Sequence, residues 1–236
     1  MTLVVLVVGT SVGSSRSAES ESRQSCVLLA GRMRLMVVPF DGIIDRYLQA
    51  SFGFEQRLRQ VASAQWTCST PCTEWNVRQL VNHMTRGNLN YVHLVEGGTH
   101  TEFLRLRDAD ALGADPVGAY TQSVQDCAGA FARPGALTRL LDYPLGELSA
   151  GQALAVRTTD TVIHTWDLAR GVGAAERLDA SLVAWMDDHL EGIYAGLAET
   201  PTVPDTTHRF FAAPDGPIDT DASRQDRLLH RMGRKP

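Results

Sequence analysis

Residues 150–170 read AGQALAVRTTDTVIHTWDLAR. Ser149 stands directly before this stretch, where a serine side chain can cap the first turn of a helix. Gly171 stands directly after it, where glycine commonly ends a helix. These signals predict one long helix from Ala150 to about Arg170.

The rest of the chain carries further helix signals on both sides of this stretch. Apolar residues recur at spacings of three and four, Asn76 and Gln79 have the spacing of a capping box, and Pro116 suits a first helical turn. The segment 137–148 contains DYPLG, which breaks a helix and predicts an extended surface crossing. We therefore predict an all-α bundle, with helices at about Asp41–Ala64, Val77–Glu96, Pro116–Ala132 and Asp179–Ala198, and short ones near Phe103–Arg107 and Ser223–Met232.

The sequence divides into three parts. Residues 1–38 hold a short apolar run, MTLVVLVVG, and a serine-rich stretch, and the first basic residue is Arg16. We expect this part to be disordered or to precede a true start at Met33 or Met36, with an export signal as the alternative. Residues 39–198 are the predicted helical bundle. Residues 199–236 are a predicted C-terminal tail with a short helix that packs on the bundle.

Composition excludes several classes of function. The chain has 236 residues with 22 Lys plus Arg against 27 Asp plus Glu, a net charge of −5, which argues against a nucleic-acid partner. No apolar run is long enough to span a membrane. Four cysteines are too few for a disulfide framework, so we expect a cytoplasmic location. A chain of this length folds without structural metal, and any metal present would serve chemistry.

Three polar residues stand on faces that otherwise pack inside the predicted bundle. His83 shares a helical face with Leu80 and Met84, while Asp160 and His164 are four residues apart on the helix predicted from Ala150 to about Arg170. That spacing places a carboxylate above an imidazole, and facing helices commonly build metal sites in this way. Two nitrogens and one oxygen leave a coordination position open for water or substrate. An alternative needs no metal, since Asp160 and His164 can simply hydrogen-bond to each other.

Two segments carry a family resemblance. PCTEWNVRQLVNH at 71–83 and HTWDLAR at 164–170, followed by QDRLL at 225–229 and GRKP at 233–236, together resemble an actinobacterial metal-binding family related to mycothiol-dependent maleylpyruvate isomerase. That family belongs to the DinB-like four-helix bundle superfamily. The resemblance covers the chain from about Phe40 onward and implies a four-helix bundle with an additional C-terminal helix and an irregular tail.

The resemblance also implies a site and a chemistry. Its metal ligands fall on His83, Asp160 and His164, although the isomerase carries Glu where this chain has Asp160. We expect a divalent metal, zinc before nickel or iron, and mycothiol as a thiol cosubstrate. From their positions alone, Asp167 can orient His164 or a substrate and Arg170 can receive a substrate carboxylate, but helix-end capping and surface pairing are the interpretation that we favour for both.

These expectations lead to two hypotheses of function. In the first, the protein is a mycothiol-dependent isomerase or S-transferase that acts on a small electrophilic molecule, as a monomer or homodimer. In the second, it is a non-catalytic bundle that binds a metal or sequesters a ligand in a stress or resistance response. Turnover of electrophiles in the presence of mycothiol separates the two.

Overall fold

A computed structural model describes residues 40–73, 75–197 and 216–236. The expectation for residues 1–38 lies outside these residues, as does the tail between 199 and 215. In the described part, the chain forms seven α-helices and one two-stranded sheet. They are α1 (Ile43–Leu58), α2 (Val77–Val95), α3 (His100–Leu106), α4 (Pro116–Phe131), β1 (Leu140–Tyr143), β2 (Gly146–Ser149), α5 (Ala150–Val172), α6 (Ala180–Ile193) and α7 (Arg224–Arg231).

Helices α1, α2, α4 and α5 form a four-helix bundle, which confirms the predicted fold class. The most extensive contacts join α1 to α5 and α2 to α4. Helix α5 is the centre of this arrangement, because every residue from Ala150 to Ala169 is buried except Gln152 and Asp160. Helix α6 packs against α5, and α7 packs against α6. No helix of the described residues has the length and apolar character needed to cross a bilayer.

Local signals set the starts of the two helices that matter most for the site. Asn76 accepts a hydrogen bond from the Gln79 backbone, and the Gln79 side chain accepts one from the Asn76 backbone, so the predicted capping box is present. Ser149 caps α5 through the backbone nitrogen of Gln152, also as predicted.

The end of α5 differs from the prediction. The helix continues past Gly171 and closes at Gly173, whose φ of 69° is in the left-handed region. Gly171 has another function: a Cβ there would lie 3.2 Å from the Ser69 carbonyl oxygen, so glycine permits a close approach between α5 and the loop before α2.

Two further helices end earlier than predicted. Helix α1 ends at Leu58 rather than near Ala64, and a 3₁₀ turn at Ser63–Gln65 follows it. The Gln65 side chain donates to the Val172 carbonyl, which turns the chain across the end of α5 before α2 begins. Helix α6 ends at Ile193, and Gly196 follows with a left-handed φ of 76°.

The segment predicted to cross the surface in extended form makes an antiparallel hairpin. Leu140 pairs with Ser149 and Tyr143 with Gly146, so Pro144 and Leu145 form the turn. Leu141 and Tyr143 are buried, which places one face of the hairpin on the bundle. The hairpin is a small addition to an otherwise all-α fold.

Candidate metal centre

The three predicted ligands converge between α2 and α5. Potential ligand atoms of His83, Asp160 and His164 all lie within 4.8 Å of one another. His164 Nε2 lies 3.2 Å from Asp160 Oδ1, and His83 Nε2 lies 3.4 Å from Asp160 Oδ2. The alternative in which only Asp160 and His164 interact therefore leaves out His83, which the fold brings to the same point.

The local fold explains the convergence. His83 follows the buried residues Leu80 and Val81 on α2, and it is itself half-buried. Asp160 and His164 are one turn apart on α5, so both side chains lie on the face toward α2. The Asp160 carboxylate reaches both imidazoles from this position.

An orphaned nitrogen supports the fit of these residues to a metal. His83 Nε2 is buried and has no hydrogen-bond partner, although a carboxylate lies 3.4 Å away. A buried nitrogen left without a partner is costly, and a nitrogen that lies beside both a carboxylate and a second imidazole suits a site for a divalent cation. The donor set of two imidazoles and one carboxylate is typical of catalytic zinc.

The charges of the three groups also suit a cation. Burial opposes the charged form of Asp160, but the charge and hydrogen bond of His164, together with the nearby His83 ring, hold the pKa of Asp160 well below its ordinary value. Burial acts to lower the pKa of His164, yet Asp160 and Asp167 together raise that pKa above its ordinary value. At His83 burial dominates and lowers the pKa, so this ring is neutral at neutral pH.

Asp167 supports His164 from the next turn of α5. Its side chain is fully buried, and its Oδ2 accepts a hydrogen bond of 2.8 Å from His164 Nδ1. That bond fixes the ring with Nε2 directed toward Asp160. Asp167 therefore contacts His164 directly, as a residue that orients this ring must do.

Arg170 is engaged elsewhere in this structure. Its Nη2 lies 2.7 Å from Glu176 Oε2, and its Nη1 donates to the Lys235 carbonyl at 2.7 Å. Its guanidinium also stacks over Trp166 with 4.2 Å to the ring centroid. These contacts correspond to surface pairing, which was the interpretation favoured for this residue.

Sequence reasoning missed Arg157, which is 1% exposed. Its Nη1 donates to Asp160 Oδ2 at 2.6 Å and its Nε donates to Asn88 Oδ1 at 2.9 Å. Its Nη2 donates to the Met84 carbonyl. A single Arg three residues before Asp160, in a stretch that is otherwise apolar or Thr, was the available signal.

Trp75 also lies at the centre, although it was not among the predicted site residues. Trp75 is half-buried and stacks on His83 with ring centroids 4.3 Å apart and planes inclined by 25°. Its centroid lies 5.7 Å from that of His164. The indole therefore covers the imidazole side of the centre and restricts the positions that the His83 ring can take.

Comparison with known proteins places the chain in a family. The family model described as mycothiol maleylpyruvate isomerase N-terminal domain matches residues 49–169, which include His83, Asp160, His164 and Asp167. Two uncharacterized proteins of Mycobacterium tuberculosis, from strains CDC 1551 and H37Rv, are each 30% identical over 134 residues, which is 57% of this chain and 69% of theirs.

A solved structure shares the fold. The crystal structure of the mycothiol-dependent maleylpyruvate isomerase matches with a TM-score of 0.50 and 14% identity, over 65% of this chain and 70% of that chain. A match with an identity this low is evidence for a shared fold alone. The family match covers half of this chain and includes the whole candidate centre. The chain therefore belongs to the mycothiol maleylpyruvate isomerase N-terminal domain family.

Proposed function

We propose that this protein is a divalent-metal-binding, mycothiol-dependent isomerase or S-transferase that acts on a small electrophilic molecule. The convergence of His83, Asp160 and His164 around a buried histidine nitrogen without a partner carries the proposal. Zinc is the metal we propose, because two imidazoles and a carboxylate form a donor set that leaves a position open. Mycothiol is the thiol we propose, because the family to which the chain belongs is described by it.

Three residues of the centre would hold the ion, and two others restrict the positions of the histidine rings. His83, Asp160 and His164 would hold the zinc ion, which would supply Lewis acidity and so lower the pKa of a bound thiol. Asp167 fixes the orientation of His164. Trp75 shields the His83 ring from water by stacking on it.

In the isomerase case, the thiol is regenerated, and the substrate and product contain the same atoms. The thiolate sulfur adds to one carbon of a double bond conjugated to a carbonyl group, and the electron pair moves to the carbonyl oxygen. The former double bond then rotates as a single bond, and expulsion of the same thiolate restores the double bond in the other geometry. In the transferase case, the thiol proton is delivered to carbon and the S–C bond remains.

The remaining parts of the proposal follow from this chemistry. A free low-molecular-weight thiol is a reagent of a reducing compartment, so we place the protein in the cytoplasm. Its partners are the small thiol and the electrophile rather than nucleic acid, in keeping with the net charge of −5. We propose a monomer or homodimer.

Metal content and turnover test the proposal with matched variants. The full chain is purified, its zinc content is measured by mass spectrometry, and conversion of unsaturated carbonyl compounds is followed with and without mycothiol. His83→Ala and His164→Ala are expected to lose zinc and activity. His93→Ala, on the same helix α2 but paired with Glu102, is the control that keeps both.

Two results would count against the proposal in different ways. Full zinc content in His83→Ala and His164→Ala proteins would refute the assignment of the centre. Zinc binding by the wild type without isomerisation or thiol consumption would refute the enzyme and favour the non-catalytic metal-binding or ligand-sequestering bundle.

A further inference from the structure

The C-terminal segment of the chain reaches the candidate metal centre through Arg234. This side chain is buried, although it lies three residues beyond the end of α7. Its Nε donates to Asp167 Oδ1 at 2.9 Å and its Nη2 donates to Asp167 Oδ2 at 2.6 Å, which makes a two-point ion pair. Its Nη1 donates to the Met232 carbonyl at 3.1 Å, so all three guanidinium nitrogens donate within the protein.

Asp167 links Arg234 to His164, which is a proposed metal ligand. The Oδ2 atom that accepts from Arg234 also accepts from His164 Nδ1. The three residues therefore form one continuous chain from the C-terminal segment to His164 Nε2, which faces Asp160. Burial acts to raise the pKa of Asp167, but its bonds from His164 and Arg234 lower that pKa, so the carboxylate is ionised.

The fold holds Arg234 in this position by docking the segment before it. Leu228 and Leu229 of α7 are fully buried. Arg224 pairs with Asp187 of α6 at 2.8 Å, which ties the start of α7 to the bundle. Gly233 then adopts a left-handed φ of 71°, a conformation that favours glycine and turns the chain back toward α5.

We propose that Arg234 is a positioning residue of the metal centre, which orients His164 through Asp167 and makes metal affinity depend on the last residues of the chain. The inference rests on the proposed function, because it assumes that His164 binds a metal. It goes further in assigning a role to a residue outside the family match at 49–169. Partners of metal-binding histidines typically contribute a factor of about 10 to 100 in metal affinity.

Zinc affinity, measured by competition with a chelator, tests this role. Arg234→Gln is expected to weaken zinc binding about 10- to 100-fold, and Arg234→Lys less, because lysine keeps the charge but not the two-point geometry. Arg231→Gln is the matched control: Arg231 also forms an ion pair, with Asp187, but has no contact with Asp167. Its zinc affinity is expected to equal that of the wild type.

Two spectroscopic measurements separate positioning from general destabilisation. The visible absorption of the cobalt-substituted protein is expected to change in Arg234→Gln and to stay unchanged in Arg231→Gln, since it reports the ligand geometry at the ion. The ¹⁵N NMR signals of the metal-free His164 ring report the Nδ1 hydrogen bond without any metal. They are expected to shift in Arg234→Lys, the variant to use where Arg234→Gln does not fold.

The outcomes distinguish this inference from the proposed function. A wild type that binds neither zinc nor cobalt would overturn both. A wild type that binds zinc, with unchanged affinity, cobalt spectrum and His164 signals in the folded Arg234 variants, would overturn the positioning role alone.

Discussion

Replacing Gly87 by alanine tests whether the buried Arg157 supports the candidate metal centre through its contact with Asp160. Gly87 lies on α2, about one turn after His83, and faces the Arg157 guanidinium. A Cβ at this position would lie 2.6 Å from Arg157 Nη1, 2.7 Å from Cζ and 2.8 Å from Nη2. Real Cβ atoms essentially never approach another atom within 3.0 Å, so the guanidinium must move.

The cost of that movement follows from what Arg157 binds. The guanidinium is buried and donates to Asp160, Asn88 and the Met84 carbonyl, and no bulk water is available to replace a lost partner. Loss of one charged hydrogen bond costs about 1.5–3 kcal/mol. Alanine in place of glycine in a helix returns up to about 1 kcal/mol. We expect Gly87→Ala to lower the free energy of unfolding by about 1–2 kcal/mol, and to weaken zinc binding about tenfold or more because Asp160 loses its support.

Gly129→Ala supplies the control. Gly129 lies on α4, is exposed, and has no atom within 4 Å of a Cβ built on it. The same substitution there is expected to raise the free energy of unfolding by about 0.5–1 kcal/mol. Urea unfolding of the metal-free proteins and chelator competition for zinc measure both effects. A Gly87→Ala protein as stable as Gly129→Ala, with zinc affinity equal to that of the wild type, would refute the argument.

Four further predictions concern pH, metal removal, Trp75 and Cys127. Zinc affinity should fall about tenfold per pH unit below the raised pKa of His164, because this ligand must release a proton to bind zinc. Calorimetry in buffers of different ionisation enthalpy measures that proton, and a zinc affinity that does not change as the pH is lowered from neutrality would contradict the prediction. Chelation of the metal should leave the helical circular dichroism signal intact, since the described helices already share one hydrophobic core, and loss of that signal would show that folding requires metal. Zinc should alter intrinsic fluorescence mainly through Trp75, which stacks on His83, so Trp75→Phe should abolish most of the change while Trp185→Phe preserves it. Burial raises the pKa of the Cys127 thiol to about 12, so iodoacetamide should label Cys68 in the native protein and leave Cys127 unlabelled, as peptide mapping can verify.

Local patterns in the sequence were enough to predict most of the fold. A capping residue acts within its own first turn, so Asn76 and Ser149 mark the starts of α2 and α5 without any knowledge of the rest of the chain. The pairing of Asp160 with His164 is equally local, because a spacing of four on one helix fixes their proximity. The position of His83 opposite this pair depends on how α2 packs against α5, and there the family resemblance supplied what spacing alone left open.

The parts that escaped prediction depend on contacts between distant positions. Arg157 reaches Asn88, and Arg234 reaches Asp167, across 69 and 67 positions of the chain respectively. The sequence gives no indication that these two arginines are buried, since arginine is mostly exposed in proteins. Gly171 was interpreted as a helix end for the same reason, because its close approach to the Ser69 carbonyl is visible only in three dimensions.

The two buried arginines give the centre a charge balance that neither its ligands nor its fold class implies. Asp160 pairs with Arg157, and Asp167 pairs with Arg234, so the two carboxylates beside His164 are each matched by a guanidinium. A buried carboxylate without such a partner would cost several kcal/mol, and metal would then be needed for the fold itself. Because the guanidiniums already neutralise both carboxylates, the fold does not depend on the ion for charge. For the same reason, a divalent ion held by His83, Asp160 and His164 would keep most of its positive charge, which would favour an anionic ligand such as the thiolate of the proposed reaction.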